Sequence, residues 1–404
     1  MARADVTRWM TVFASALLVA GCGNESDDGA PGGHSVLPEG QREFVTLLGQ
    51  DTIAIESFVR TDDQITGVYV NRNPVTIVGR YVANLTPEGR IGRLEVSWST
   101  PATNPEGAES WTSVITVEGN TATVVNVGGP ADGTIEMEVG PGALPSLGRI
   151  PMAMFVVEQA AREARDAGTD DYPLSLVSST RPQATPNAIR AANGDTLSYD
   201  FFGSPFYLVL NDDGELVGTT GYATTMQANS IQAEHMDVPT MAADFAARDA
   251  SGTGIGVPSP AATATASIGG AHIEVAYSQP AKRGRDIWGG LVPHGEVWRT
   301  GANSATVFTT DKDLILRDLD LPAGSYTLWT TFTESSQELI VNRQTGQWGT
   351  DYDASQNFGR VEMTVDQLRD VVERFTISFQ EMEGGGVMHL EWDRTRFSVP
   401  IRFR

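Results

Sequence analysis

Residues 151–168, PMAMFVVEQAAREARDAG, carry the clearest helix signal in a segment that otherwise has the patterning of strands. Pro151 is tolerated in the first turn of a helix, and Gly168 is a residue type favoured just beyond a helix end. Apolar residues recur along one face with helical spacing, namely Met154, Val157, Ala161 and Ala164. The stretch therefore predicts a helix that packs on a sheet through this face.

Charged residues occupy other positions of this helix and predict a solvated outer face. Glu158 and Arg162 are four residues apart, so they are expected to pair on the helix surface. Glu163 and Arg165 are assigned to the same solvated face.

Alternating apolar and polar residues on both sides of the helix predict strands, such as TIAIESFVR at residues 52–60. The turn-forming sequences TPEG at residues 86–89 and NDDG at residues 211–214 separate such runs. Residues 38–249 are thus predicted to form a mainly β domain, with an antiparallel, half-barrel-like sheet packed on the helix and able to hold an apolar ligand. A second, short helix is expected at residues 239–249.

The carboxy-terminal part of the chain, residues 266–404, has the pattern of a strand-only domain. Short strands at regular spacing predict a β-sandwich or jelly-roll-like fold. The one helical signal there is TVDQLRDVVERF at residues 364–375, where Thr364 and Gln367 have capping-box spacing. Residues 250–265 are rich in Gly, Ala, Thr and Pro, which predicts a linker between the two domains.

The amino terminus has the pattern of an export signal. Two arginines precede an apolar run at residues 9–20 that is too short to span a bilayer, and the run ends in LVAGC at residues 18–22. This ending resembles the lipobox of bacterial lipoproteins, and Cys22 is the only cysteine in the chain. The resemblance implies removal of residues 1–21 and lipidation of Cys22. Because Gly23 stands where an aspartate favours inner-membrane retention, it also implies an outer-membrane anchor facing the periplasm.

The net charge excludes one class of partner. Removing residues 1–21 leaves 26 basic and 50 acidic residues, a formal charge of −24. A surface this negative repels phosphate backbones, so nucleic acid is not an expected partner. The expected membrane contact is the lipid on Cys22, followed by a polar, Gly-rich tether over residues 22–37.

No arrangement in the sequence indicates a metal, a cofactor or a reaction. The five histidines have no mutual spacing typical of ligands on one helix or strand, and the only thiol is assigned to lipidation. The Gly-x-Ser-x-Gly pattern of a nucleophile elbow is absent from the sequence. No metal site, no cofactor and no catalytic set is therefore predicted, although a catalytic triad dispersed in sequence stays open.

Several sequence blocks in the carboxy-terminal part resemble a known family. They are KRGRDIWGGLVPHGEVWRTGANSAT at residues 282–306, LPAGSYTLWT at 321–330, LIVNRQTGQWGTDYD at 339–353 and LEWDRTRFSVPI at 390–401. In this order they resemble the bacterial family catalogued as domain of unknown function 2911, over roughly the last 145 residues. The chain departs from the family pattern at Phe358, near which an aspartate is expected. The resemblance implies no activity.

The first of these blocks contains the densest mixture of aromatic, cationic and amide side chains. Stacked aromatic rings beside guanidinium groups can bind carbohydrates or anions. The predicted contacts for a small-molecule or glycan ligand are Arg285, Trp288, Trp298, Arg299 and Asn303. The alternative is that the tryptophans form a core and Arg299 makes a buried ion pair with Glu373.

Three functions are compatible with these patterns. The leading hypothesis is a non-catalytic binding or accessory protein of the cell envelope. The second is a hydrolase of envelope glycans or small esters, with His294 as the general base. The third is a purely structural envelope protein.

Overall fold

A computed structural model describes residues 40–101, 111–129, 132–179, 183–192, 196–201, 204–222, 224, 226–333 and 335–403. The predicted signal peptide, Cys22 and the predicted tether lie outside these residues. The described residues belong to one compact unit, and their mainly β fold confirms the predicted fold class.

The amino-terminal lobe is a fifteen-stranded sheet within the described residues, with the order β8-β7-β6-β5-β4-β3-β2-β1-β15-β14-β13-β12-β11-β10-β9. Its strands are β1 (Gln41–Leu48), β2 (Asp51–Arg60), β3 (Gln64–Asn71), β4 (Ile77–Leu85), β5 (Ile91–Ser99), β6 (Trp111–Glu118), β7 (Thr121–Val127), β8 (Gly133–Glu138), β9 (Ala143–Ser146), β10 (Asp171–Ser178), β11 (Ala184–Ala191), β12 (Leu197–Phe201), β13 (Ser204–Leu210), β14 (Leu216–Thr220) and β15 (Ala228–Gln232). Among the described strands of this sheet, β9 and β10 are the one parallel pair, as a connecting helix allows.

That helix, α1 (Met154–Ala167), is the predicted one, and Gly168 follows its end in the left-handed conformation. It contacts strands β9, β10, β11 and β14. The ring of Phe155 also stacks on that of Tyr81 in β4, with the ring centroids 4.3 Å apart. Because β9 in turn contacts β5 and β6, the sheet curls around the helix.

The prediction of a solvated outer face on α1 was wrong. Glu158 is 3% exposed and Glu163 is 9% exposed, because the curled sheet covers the helix on several sides. Glu158 Oε2 lies 3.4 Å from Arg42 Nη1 in β1, besides the predicted contact with Arg162 at 3.2 Å. Glu158 and Glu163 therefore connect the helix to the sheet, through Arg42 and Tyr172, whereas Arg165 is exposed as predicted.

A second helix, α2 (Val238–Ala250), covers another part of the same sheet. Asp237 caps its first turn by accepting a hydrogen bond from the Thr240 amide at 3.1 Å. Val238, Ala242 and Phe245 pack against apolar residues of β2, β3 and β4 in a small core separate from the one around α1.

The carboxy-terminal lobe consists of two sheets, ordered β16-β17-β19-β22-β23-β24 with β18 beside β22, and β21-β20-β26-β25. Its strands are β16 (Ala261–Ile268), β17 (Ala271–Ser278), β18 (Val297–Trp298), β19 (Thr306–Thr310), β20 (Leu314–Leu316), β21 (Leu319–Leu321), β22 (Gly324–Phe332), β23 (Gln337–Asn342), β24 (Asn357–Glu362), β25 (Thr364–Met382) and β26 (Gly385–Phe403). Residues of both sheets share one hydrophobic core, as in a sandwich.

Two local expectations in this region differ from the structure. The capping-box stretch at residues 364–375 is not a helix but the first half of β25, which pairs with β26 with irregular register. Pairing with β26, the next strand along the chain, has overridden a local helix signal there. The predicted linker is also shorter, because β16 already begins at Ala261 and pairs with β17.

Candidate functional site

Residues 283–303 contain the five predicted ligand contacts and His294. This stretch begins where the amino-terminal and carboxy-terminal lobes touch, which we call the lobe junction. The Arg283 guanidinium forms an ion pair with Asp51 of the amino-terminal lobe, and its side chain is 6% exposed. The Arg283 carbonyl accepts a hydrogen bond from the Gln50 amide at 3.0 Å. A Cβ at position 49 would lie 2.1 Å from this carbonyl oxygen, so Gly49 is required for the close approach.

Arg285 faces the same junction. Its Nη1 donates to the Met226 carbonyl of the amino-terminal lobe at 2.8 Å, and its Nε donates to the Lys282 carbonyl at 3.0 Å. Burial, together with the neighbouring Arg283 charge, lowers the pKa of Arg285 to about 10. Arg285 thus holds backbone carbonyls together across the junction.

The Arg283–Asp51 pair should couple the stability of the two lobes. We expect Arg283→Ala and Asp51→Ala to be non-additive, with a coupling free energy of about 1 kcal/mol, because Asp51 is partly exposed and solvent screens the pair. Urea unfolding of the two single variants and the double variant measures this. Strictly additive losses would show that the ion pair contributes nothing to the junction.

Trp288 and Trp298 lie in an aromatic cluster inside the sandwich. The Trp298 ring stacks on Trp392 with a centroid distance of 5.7 Å and an interplanar angle of 18°, and it packs edge-on against Phe375 at 5.1 Å. Trp288 is partly buried and contacts Phe332 at 4.8 Å. This packing agrees with the core interpretation of the two tryptophans, and the same residues stay predicted ligand contacts until binding is measured.

Arg299 and Asn303 lie together in the turn that follows β18. Arg299 Nη1 donates to the Asn303 carbonyl at 3.2 Å, and burial lowers the pKa of Arg299. Asn303 has a φ of 60° and donates through Nδ2 to the Ser259 carbonyl at 3.2 Å. The expected ion pair between Arg299 and Glu373 is not found among the described residues, because a Glu373 carboxylate oxygen accepts the Arg283 amide at 2.8 Å instead.

His294 lies in an exposed turn of the same stretch. Its Nε2 would lie 2.8 Å from a Cβ at position 289, so the ring packs closely on Gly289. Trp288 therefore contacts Trp298, and Arg299 contacts Asn303. The five predicted ligand contacts do not form one site. Arg285 points to the lobe junction.

A cavity of about 670 Å³ lies instead at one end of the curled sheet in the amino-terminal lobe. One wall comes from the ends of β3, β6 and β7, with Asn71, Trp111 and Asn126. The facing wall comes from β10, β11 and β12, and residues 146–153 before α1 close the space between the walls. We call it the Arg149 cavity, after the cation in its lining.

Arg149 is partly buried on a tryptophan pair. Its Cζ lies 4.8 Å from the centroid of the Trp98 ring and 6.0 Å from that of Trp111, and the two indoles stack with centroids 5.9 Å apart. Burial lowers the pKa of Arg149, and the nearby Tyr69 opposes this. Among the described residues no carboxylate forms an ion pair with Arg149, and its buried Nε has no hydrogen-bond partner.

Two side chains of β3 hold the loop that carries Arg149 through hydrogen bonds to its backbone. Tyr69 donates its hydroxyl to the Pro151 carbonyl at 2.6 Å, and Asn71 donates to the Ile150 carbonyl at 2.8 Å. Both side chains are about 1% exposed. The position of Arg149 is therefore set by the sheet rather than by a ligand, as in a preformed binding site.

The sequence interpretation foresaw a ligand-holding sheet but none of these residues. The available signal was two tryptophans, Trp98 and Trp111, close together in the sequence, with an arginine just before the predicted helix. Nothing in their spacing along the chain shows that the three side chains meet.

The described residues contain no group of three or more His, Cys, Asp or Glu side chains placed to hold a metal ion. In the same part of the chain, no helix has the length and apolar character needed to cross a membrane.

Comparison with known proteins identifies the carboxy-terminal lobe and gives no function. Residues 259–401 match the family described as "Protein of unknown function (DUF2911)". This confirms the resemblance that the sequence blocks had indicated, and the match begins just before β16. No curated protein matches the chain.

Proposed function

We propose that this chain is a non-catalytic binding protein and that the Arg149 cavity is its ligand site. The observation that carries the proposal is a preformed cavity of about 670 Å³ whose lining includes a partly buried arginine without an acidic partner among the described residues. This volume is within the range of small-molecule sites, which combine apolar walls with a few placed polar groups. The cavity lies in the half-barrel-like lobe that the sequence predicts to hold a ligand.

The proposed location is the cell envelope, with the chain attached through a lipid on Cys22. Support comes from the export-signal pattern and the lipobox-like sequence LVAGC at residues 18–22. The acidic composition agrees with a lipid anchor, because a negative surface does not itself attract anionic head groups.

Native mass spectrometry of residues 24–404, purified without refolding, tests the binding function. We expect an additional mass on the intact protein that is lost in Thr185→Trp, because Thr185 is an exposed residue of the cavity lining and an indole there takes up part of the space for a ligand. The matched control is Thr134→Trp, at an exposed strand position that is not in the lining.

Retention of the mass in both variants would place the ligand elsewhere, and loss in both would show that the effect of Thr185→Trp is not specific to the cavity. A mass retained in Thr185→Trp but lost in Trp288→Ala would move the site to the carboxy-terminal lobe. Bare polypeptide in every sample would favour the structural role among the three functions.

A further inference from the structure

The residues that line the Arg149 cavity indicate which chemical class of ligand it binds. An arginine is charged at every physiological pH, so the cavity contains a permanent cation. Taking a charge out of water without a partner is costly, and natural sites usually provide a counter-charge. In the described residues this counter-charge is not supplied by the protein, which leaves a ligand to supply it.

One carboxylate, Asp200 in β12, also contributes to the lining of the cavity. It does not serve as the partner of Arg149, because no ion pair joins these two described residues. The backbone of Asp200 is held by Asn187, which donates to the Asp200 carbonyl at 2.6 Å and accepts from its amide at 3.2 Å.

A second polar group in the lining lacks a partner. Asn126 is 4% exposed, and its buried Oδ1 accepts no hydrogen bond from the described protein. Fewer than a tenth of buried polar groups in folded proteins lack a partner, and such groups call for an explanation. A ligand in the cavity can satisfy this atom together with the guanidinium.

The rest of the lining includes a mainly apolar surface. Leu147, Met152 and Leu176 contribute to it, as do Pro74, Ile150 and Pro186. A free inorganic anion would leave these side chains in contact with water, whereas an apolar chain would cover them. The lining as a whole therefore combines the Arg149 guanidinium and the Asp200 carboxylate with an apolar surface.

We propose that the Arg149 cavity binds an amphiphile with an anionic oxygen head group, a carboxylate or a phosphate, which contacts the Arg149 guanidinium while the apolar body covers the cavity wall. This inference rests on the proposed binding function. Forked N–H donors of arginine match both head groups, so the structure assigns the shared chemistry.

Isothermal titration calorimetry of residues 24–404 with three probes of equal chain length tests the inference. The probes are decanoate, decyl phosphate and the neutral decanol. We expect at least one anionic probe to bind about tenfold more tightly than decanol, as one charge-assisted hydrogen bond allows. Which of the two anions binds more tightly distinguishes a fatty-acid-like ligand from a lipid phosphate.

Two variants of Arg149 distinguish an effect of its charge on ligand binding from an effect on folding. Arg149→Met should remove the preference and leave the affinity for decanol within about twofold, whereas Arg149→Lys should retain part of it. The matched control, Arg80→Met, alters an exposed arginine of β4 and should change nothing. If Arg149→Met fails to fold, Arg149→Lys and the salt dependence of anion binding still decide the question.

Equal affinity for all three probes, or an anion preference that persists in Arg149→Met, would overturn the anionic-amphiphile inference and leave the binding function standing. No binding of any probe also overturns it. The binding function fails separately, if native mass spectrometry finds no ligand whose mass depends on Thr185.

Discussion

Replacing Trp298 with alanine should destabilise the carboxy-terminal lobe by about 3–5 kcal/mol, the range for removing a large aromatic side chain from a packed core. The Trp298 side chain is 6% exposed and is surrounded by Trp288, Phe332, Phe375 and Trp392. Removing the indole leaves a cavity that these rings cannot fill without leaving their own contacts. The measurement is chemical unfolding followed by near-UV circular dichroism, which reports the packing of the tryptophans.

The matched control is Trp348→Ala, because Trp348 is 45% exposed in the same lobe. That variant should lose less than about 1 kcal/mol. The comparison separates the two interpretations of the stretch at residues 283–303. If Trp298→Ala keeps its stability but loses a ligand, Trp298 is a surface contact and the core interpretation fails.

Stability should fall as the pH rises from 4.5 to about 7, and Glu56 should be responsible for a large part of the fall. Glu56 in β2 is 2% exposed, and burial raises its pKa from 4.5 to about 7. Hydrogen bonds from the Tyr81 hydroxyl and from the Met154 and Phe155 amides oppose the increase but do not cancel it.

Between these two pH values the folded state binds a proton that the unfolded chain has already lost. Folding is therefore favoured at the acidic side of the window, and this contribution disappears as the pH passes the folded-state pKa. A shift from 4.5 to about 7 corresponds to about 3 kcal/mol. The free energy of unfolding measured in urea at pH 4.5, 6 and 8 gives the profile.

Glu56→Gln should flatten this part of the profile, since a neutral amide does not titrate. Other groups also titrate in the window, so the difference between variant and parent is the quantity to compare. Glu136→Gln, which changes an exposed residue of β8, is the control and should leave the profile unchanged. An identical profile for Glu56→Gln and the parent would show that Glu56 is ionised throughout.

The sequence predicted those elements whose signals are local. Gly168 ends α1 as predicted, because a left-handed residue after a helix is favoured by glycine, whereas Pro151 lies before the N-cap Ala153 and not in the first turn. The sandwich followed from short strands at regular spacing. The helix predicted at residues 364–375 is not formed. Its capping box is a local signal, whereas the first residues of β25 pair with the far end of β26, where Thr364 lies opposite Ser398.

The candidate site was not predictable in the same way. Arg149 comes from the loop before α1 and Trp98 from β5, and the two meet only because the sheet curls. The burial of Glu158 has the same origin, since helical periodicity shows one apolar face but does not show that a sheet covers the others.

The strand order of the amino-terminal lobe affects how the protein can be made. Strands β1 to β8 form successive hairpins as the chain is synthesised, but β1 takes its second neighbour from Ala228–Gln232, far along the chain. Until then one edge of β1 is open, and an open edge is where a foreign strand can add. A chain shortened before residue 228 by proteolysis or early termination would therefore expose an unpaired edge in the middle of its intended sheet, next to the strand that holds Glu56.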